Sequence, residues 1–103
     1  MPDLDLSPAR RRELRARAHK LDPVVLIGGT GLSTQVLAEI DRSLKSRELI
    51  KVRVNAERAV RDAVFQEICR QTGAQPVQHI GKILILFREK LESPAPGKTR
   101  VER

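Results

Sequence analysis

The stretch Val24-Val25-Leu26-Ile27-Gly28-Gly29-Thr30-Gly31-Leu32-Ser33 constrains this chain more than any other. Four apolar residues, mostly β-branched, run into a glycine-rich turn, and helix-forming sequence follows at once. The run predicts a short buried strand, the glycines a tight turn, and Ser33 the cap of a helix. Gly28-x-x-Gly31 presents no side chain that would block a ligand from the backbone. Its amides, with the N-terminus of the next helix, can form a concave anion site where a phosphate rests. A plain strand-to-helix turn that needs glycine only for its dihedrals accounts for the same residues. The rest of the chain has to separate the two.

Upstream, Ser7-Pro8 is a good helix start, with serine as N-cap and proline at the first helical position. Helix one is expected over about Pro8 to His19. It carries Arg10, Arg11, Arg12, Arg15 and Arg17, with Lys20 just beyond and only Glu13 in balance. Leu14, Ala18 and Leu21 supply a thin apolar stripe, so a broad basic face stays exposed. Asp22-Pro23 ends this helix. Helix two is expected over Thr34 to Ser46, burying Val36, Leu37, Ile40 and Leu44, with Leu32 stapled onto Leu37. Strand two, Leu49 to Val54, turns Ile50, Val52 and Val54 one way and Lys51 and Arg53 the other, which makes one of its faces wet and basic. Helix three runs from Arg58 to Thr72, burying Val60, Val64, Phe65 and Ile68 and stopping at Gly73. Pro76–Ile80 and Ile83–Phe87 form a hairpin through Gly81-Lys82. Ile83–Phe87 is apolar throughout and reads as a central strand covered on both faces.

The order is α-β-α-β-α-β-β, an α/β fold with a four-stranded mixed sheet. Helix two packs against the sheet, and helix one covers part of the other side. With 103 residues the chain is one domain over 1–91. Residues 92–103, rich in proline and charge, read as a disordered tail, and residues 1–6 as a loose lead-in.

Formal charge is +7 and the sequence pI about 10.5. A small basic chain without a membrane segment points to a polyanionic partner, most commonly nucleic acid. Phe65 and Phe87 are the only aromatics apart from histidine, which argues against stacking platforms of the RRM or OB type. No apolar run approaches the roughly 20 residues that span a bilayer. Met1-Pro2-Asp3-Leu4-Asp5 opens acidic without the apolar core of a secretory signal, so a cytoplasmic protein without membrane contact is expected. The single Cys69 excludes an internal disulfide and reads as a small buried hydrophobe. His19 and His79 lie in different elements with no carboxylate or cysteine at ligand spacing, and Asp41, Glu57, Asp62 and Glu67 have no convergent partner. Neither an enzyme, a metal site nor a cofactor is expected.

Longer-range spacing carries a resemblance. Leu14-x-x-x-Ala18-His19-x-Leu21-x-Pro23-Val24-Val25-x-Ile27-Gly28-x-x-Gly31-Leu32 resembles the opening of the CRM domain, named for chloroplast RNA splicing and ribosome maturation. Glu48-Leu49-Ile50-Lys51-Val52 resembles its second strand, and Thr72-Gly73-Ala74 with Ile80-Gly81-Lys82-x-Leu84-x-Leu86-x-Arg88 its closing segments. The one-domain form is similar to the bacterial stand-alone YhbY-like RNA-binding proteins. The resemblance implies a fold like the C-terminal domain of translation initiation factor three, with an added N-terminal helix. It also implies a glycine loop comparable to that of KH domains, and association with precursors of the large ribosomal subunit. Carried over by position, Gly28, Gly29, Thr30 and Gly31 form the loop, and Lys51 and Lys82 fall on matching basic positions. Together with Arg53, Arg11, Arg15 and Lys20 these are the expected RNA contacts of a monomer that binds 23S-type ribosomal RNA. The competing reading is a small basic protein that coats DNA or RNA. A protein-interaction module with incidental charge is a third.

Overall fold

The computed structural model describes residues 6–29 and 31–89. The elements are α1 (Pro8–Ala18), β1 (Pro23–Ile27), α2 (Thr34–Arg47), β2 (Leu49–Val54), α3 (Arg58–Thr72), β3 (Gln75–Ile80) and β4 (Ile83–Phe87), the order expected from the sequence. The predicted tail, and all of the lead-in except Leu6, lie outside the described residues.

Local chemistry sets the helix ends. Ser7 Oγ accepts from the Arg10 N–H at 3.0 Å, and Pro8 follows it at the start of α1. Ser33 Oγ accepts from the Val36 N–H at 3.1 Å at the start of α2. Each satisfies a donor that the first turn would leave unpaired. Glu48 then turns the chain from α2 into β2 within one residue, at φ +66°. Gly73, at φ +78°, closes α3.

The sheet order is β1-β2-β4-β3, with β1 parallel to β2 and the other pairs antiparallel. The sheet is packed on both faces. On one, α2 and α3 bury Ile40, Leu44, Val64 and Ile68 against Val25, Ile27, Ile50, Val52, Val54, Leu84 and Leu86. On the other, α1 buries Leu14 and Ala18 against Leu49, Val77, Ile85 and Phe87. Alternation along β4 sends Leu84 and Leu86 to the first layer and Ile85 and Phe87 to the second, so an unbroken apolar run is what this central strand needs.

Three burial expectations are corrected. β1 is an edge strand, and Leu26 is 67% exposed because α1 stops short of it. Val60, expected inside, is 36% exposed at the outer side of α3, where the stripe is narrower than its apolar residues suggest. The outward face of β2 is not wholly wet: Leu49 is buried under α1, Lys51 is half-buried and only Arg53 is fully exposed.

Candidate nucleic-acid interface

Register brings three loops to one end of the sheet. Ile27 pairs with Val54, and the Ile27 carbonyl accepts from the Asn55 N–H at 2.9 Å. Val54 in turn donates its N–H to the Lys82 carbonyl at 2.8 Å. The glycine turn after β1, the Asn55-Ala56 segment after β2 and the Gly81-Lys82 hairpin are therefore neighbours. Within the glycine turn, Gly31 donates its N–H to the Gly28 carbonyl at 3.1 Å and sits at φ +86°. That amide is occupied, so an anion would have to be met by the remaining amides of the loop and by the start of α2, whose first turn holds no acidic residue.

The glycines of this turn are not equivalent. Gly31 needs its left-handed dihedral. Gly28 and Gly29 do not: both have φ outside that region, and a Cβ on either would meet nothing within 4 Å. Nothing among the described residues requires glycine at these two positions, whose bare backbone faces open space. Thr30 lies outside the described residues.

The other expected contacts divide into two groups. Arg53 is exposed on the α1 side of β2, with its Nε donating to Asn55 Oδ1 at 3.2 Å. Lys82 is exposed in the hairpin at the same end of the sheet. Lys51 lies one step back along that face and shares a hollow with Arg15 of α1. Arg11 and Lys20 are elsewhere. The Arg11 guanidinium reaches the Pro76 carbonyl at 3.5 Å, on the rung that pairs with Leu86, far from the glycine turn. Lys20 lines a cleft of about 530 Å³ with Arg17 and Arg47, beside Pro23 and Leu49 at the opposite end of β2. Arg47, to which the sequence did not point, reaches Arg17 and Lys20 only through tertiary packing.

Charge is segregated across the sheet. From α1 to Lys20, six cations face the single acid Glu13, which pairs with Arg10 at 3.0 Å. On α2, α3 and their caps, Arg42, Lys45, Arg47, Arg58, Arg61 and Arg70 are matched by Glu39, Asp41, Glu48, Glu57, Asp62 and Glu67. Many of these pair directly: Arg42 with Glu39, Lys45 with Asp41, Arg58 with Asp62 and Arg70 with Glu67. Arg88 from the end of β4 adds a 2.7 Å bond to Asp41.

The polar groups that sequence spacing left isolated have structural partners. His79 Nδ1 lies 3.0 Å from an Asp62 carboxylate oxygen, while its Nε2 accepts from Arg61 Nε at 3.2 Å. Both ring nitrogens are thereby engaged, and the ring meets Phe65 edge-on at a centroid distance of 6.0 Å. The Arg88 guanidinium holds the Asp41 carboxyl below its ordinary range, and Arg70 does the same for Glu67. Burial pushes the Cys69 thiol up to about 11, away from the thiolate that nucleophilic chemistry needs. Among the described residues, no group of three or more His, Cys, Asp or Glu side chains could hold a metal ion.

Fold, glycine turn and one-sided charge together define a small basic α/β module with a bare loop backbone at one sheet end. This chain belongs to the CRS1/YhbY (CRM) domain family, whose model matches residues 6–88. An RNA-binding protein of Haemophilus influenzae is 45% identical over 89 residues, covering 85% of this chain and 90% of that protein. A Pseudomonas aeruginosa protein named probable RNA-binding protein is 37% identical over 94 residues, covering 90% of this chain and 88% of its own. A solution structure of a hypothetical Staphylococcus aureus protein, described as a candidate RNA binder, has the same fold. Its TM-score is 0.76 at 32% identity, over 85% of this chain and 93% of that one.

Proposed function

We propose that this protein is a non-catalytic RNA-binding protein that engages structured RNA through the glycine-turn end of its sheet and the adjoining basic face. Ribosomal RNA in precursors of the large subunit is its target, and assembly of that subunit the process it assists. The observation that carries this reading is the bare backbone at Gly28 and Gly29: glycine that the fold does not need, set in open space beside Arg53 and Lys82. Glycine costs stability through the entropy of the unfolded chain. Close approach of a phosphate backbone gives the loop a reason to carry it. The relatives' names supply RNA as the polyanion, and the resemblance to the bacterial stand-alone group supplies the ribosomal context.

Binding of this kind is mainly electrostatic. Arginine and lysine displace condensed counterions, and phosphate contacts position the protein without reading sequence. For about five phosphate contacts the log–log slope of affinity against salt is expected at roughly −3 to −5. A slope near zero refutes the mechanism. Gly28→Asp with Gly29→Asp places two negative charges at the approach point without a clash. Affinity should drop several-fold to about a hundredfold, roughly 1–3 kcal/mol. If that variant is folded and binds as wild type does, the turn is only a turn. Tagged protein should co-sediment with immature large subunits. Confinement to the top of the gradient, or to polysomes, removes the assembly role.

A further inference from the structure

We infer that the hollow between α1 and the uncovered end of the sheet is a pocket for one unpaired nucleobase. The preferred RNA then carries a bulged or looped-out nucleotide within its structured region. This rests on the RNA-binding reading above and names what that surface selects.

The hollow exists because α1 is short. Its 11 residues cover Leu49, Val77, Ile85 and Phe87 and leave the rung Ile80–Ile83 only partly covered, with Ile83 half-buried against that cluster. Ile80 is 53% exposed there, one of the few large apolar side chains so placed. With Ile83 and Ile85 it gives the hollow an apolar part; Lys51 and Gln78 border this on the sheet, and Arg15 and His19 line it from the end of α1. Arg15 and His19 are four residues apart at the end of α1, so they project along one side of it, toward the sheet.

Size and chemistry agree on the occupant. The volume of about 260 Å³ lies below the range of pockets for drug-sized ligands, roughly 300 Å³ upward, and suits one planar base. A helix, about 10–12 Å across with its side chains, has no room. A base offers apolar faces to Ile80 and Ile83 and a polar edge to the Gln78 amide, which can both donate and accept. The imidazole of His19 and the guanidinium of Arg15 are planar groups on which unstacked bases rest. Neither Arg15 nor Lys51 makes an ion pair among the described residues, which leaves both for the phosphates flanking the base. Phe87 is buried under α1 and Phe65 packs against the other layer, so neither can serve as platform.

The test uses two hairpins of one sequence, the first fully paired and the second with a single unpaired adenosine, bound by the full chain at fixed salt. Wild type should bind the bulged RNA about tenfold more tightly, within the range for one stacked base. Ile80→Ser, at an exposed site, should keep its melting temperature and its affinity for the paired hairpin while losing the preference. With 2-aminopurine at the unpaired position, emission should change on binding wild type and not on binding Ile80→Ser. Equal wild-type affinity for the two hairpins overturns the pocket and leaves general RNA binding standing, as does a preference that survives in Ile80→Ser. Failure to bind either hairpin overturns both readings.

Discussion

The two faces of the sheet use the same kinds of side chain to opposite ends. Under α2 and α3 lies the larger apolar layer, and most of the cations around it (Arg42, Lys45, Arg58 and Arg70) are held by carboxylates three or four residues away, with Arg88 held across the fold. Under α1 the layer is smaller, and the arginines above it have one acid among them. The first face resembles that of any stable α/β domain. Among the described residues the second keeps most of its charge unneutralised, which costs self-repulsion unless a polyanion arrives. An arginine therefore means different things on the two sides: a clamp on one and, in the proposed function, a contact on the other.

The largest effect should come from the packed side. Ile40, fully buried against the sheet, should cost about 2–5 kcal/mol of stability when changed to alanine. RNA affinity of the fraction that remains folded should be unchanged. A stable Ile40→Ala that no longer binds would reverse the assignment of the faces.

Next in size is a matched pair of neutralisations. Arg15→Gln with Lys51→Gln, and Arg42→Gln with Lys45→Gln, each remove two positive charges, so long-range attraction falls alike in both. The first pair should lower affinity about tenfold or more and flatten the salt slope by about two, one for each lost phosphate contact. The second should lie within a few-fold of wild type. Equal losses would mean that only net charge matters.

The glycine turn separates the two demands within four residues. Gly31→Ala forces a side chain to φ +86° and should destabilise by about 1 kcal/mol. Gly28→Ala should instead stabilise by roughly 0.4–1 kcal/mol, because its dihedral is ordinary, its surroundings are open and the unfolded chain loses freedom. Thermal melts of the two variants decide. A destabilised Gly28→Ala would show that the fold does need that glycine.

Element order, both serine caps, α3 and the closing hairpin were legible because each is set by neighbours in sequence. The role of β1 was not, since the same apolar run serves a central strand or an edge, and pairing partners alone decide between them. Val60 fell outside the core for a related reason: helical spacing gives a face but not its width. In the candidate site, the glycine turn and the cations Lys51, Arg53 and Lys82 could be named from motif and alternation. That Arg15 joins them while Arg11 and Lys20 do not depends on where α1 crosses the sheet. His79 illustrates the same limit. Its partners Asp62 and Arg61 are 17 and 18 residues away, on a different element, and no local spacing announces them.

Arg88 gives the smallest effect and the sharpest contrast with Arg15. Its guanidinium bonds the Asp41 carboxylate and the Thr72 carbonyl, each at 2.7 Å, and the Asp41 carbonyl at 3.2 Å, tying the end of β4 to α2 and α3. The Asp41 side chain is 38% exposed, so solvent screens the pair. Arg88→Ala should cost about 1 kcal/mol or less, with no change in RNA affinity. The pH dependence identifies the source. Folding lowers the pKa of Asp41, chiefly through its bond to Arg88, so the carboxylate's contribution is complete above its unfolded value near ~3.9 and is lost as pH falls through the lower folded value. The stability gap between wild type and Arg88→Ala should hold steady around neutrality and narrow below about pH 4. If denaturant melts show the same gap at pH 2 as at pH 7, the two carbonyl bonds carry the clamp and the carboxylate adds nothing.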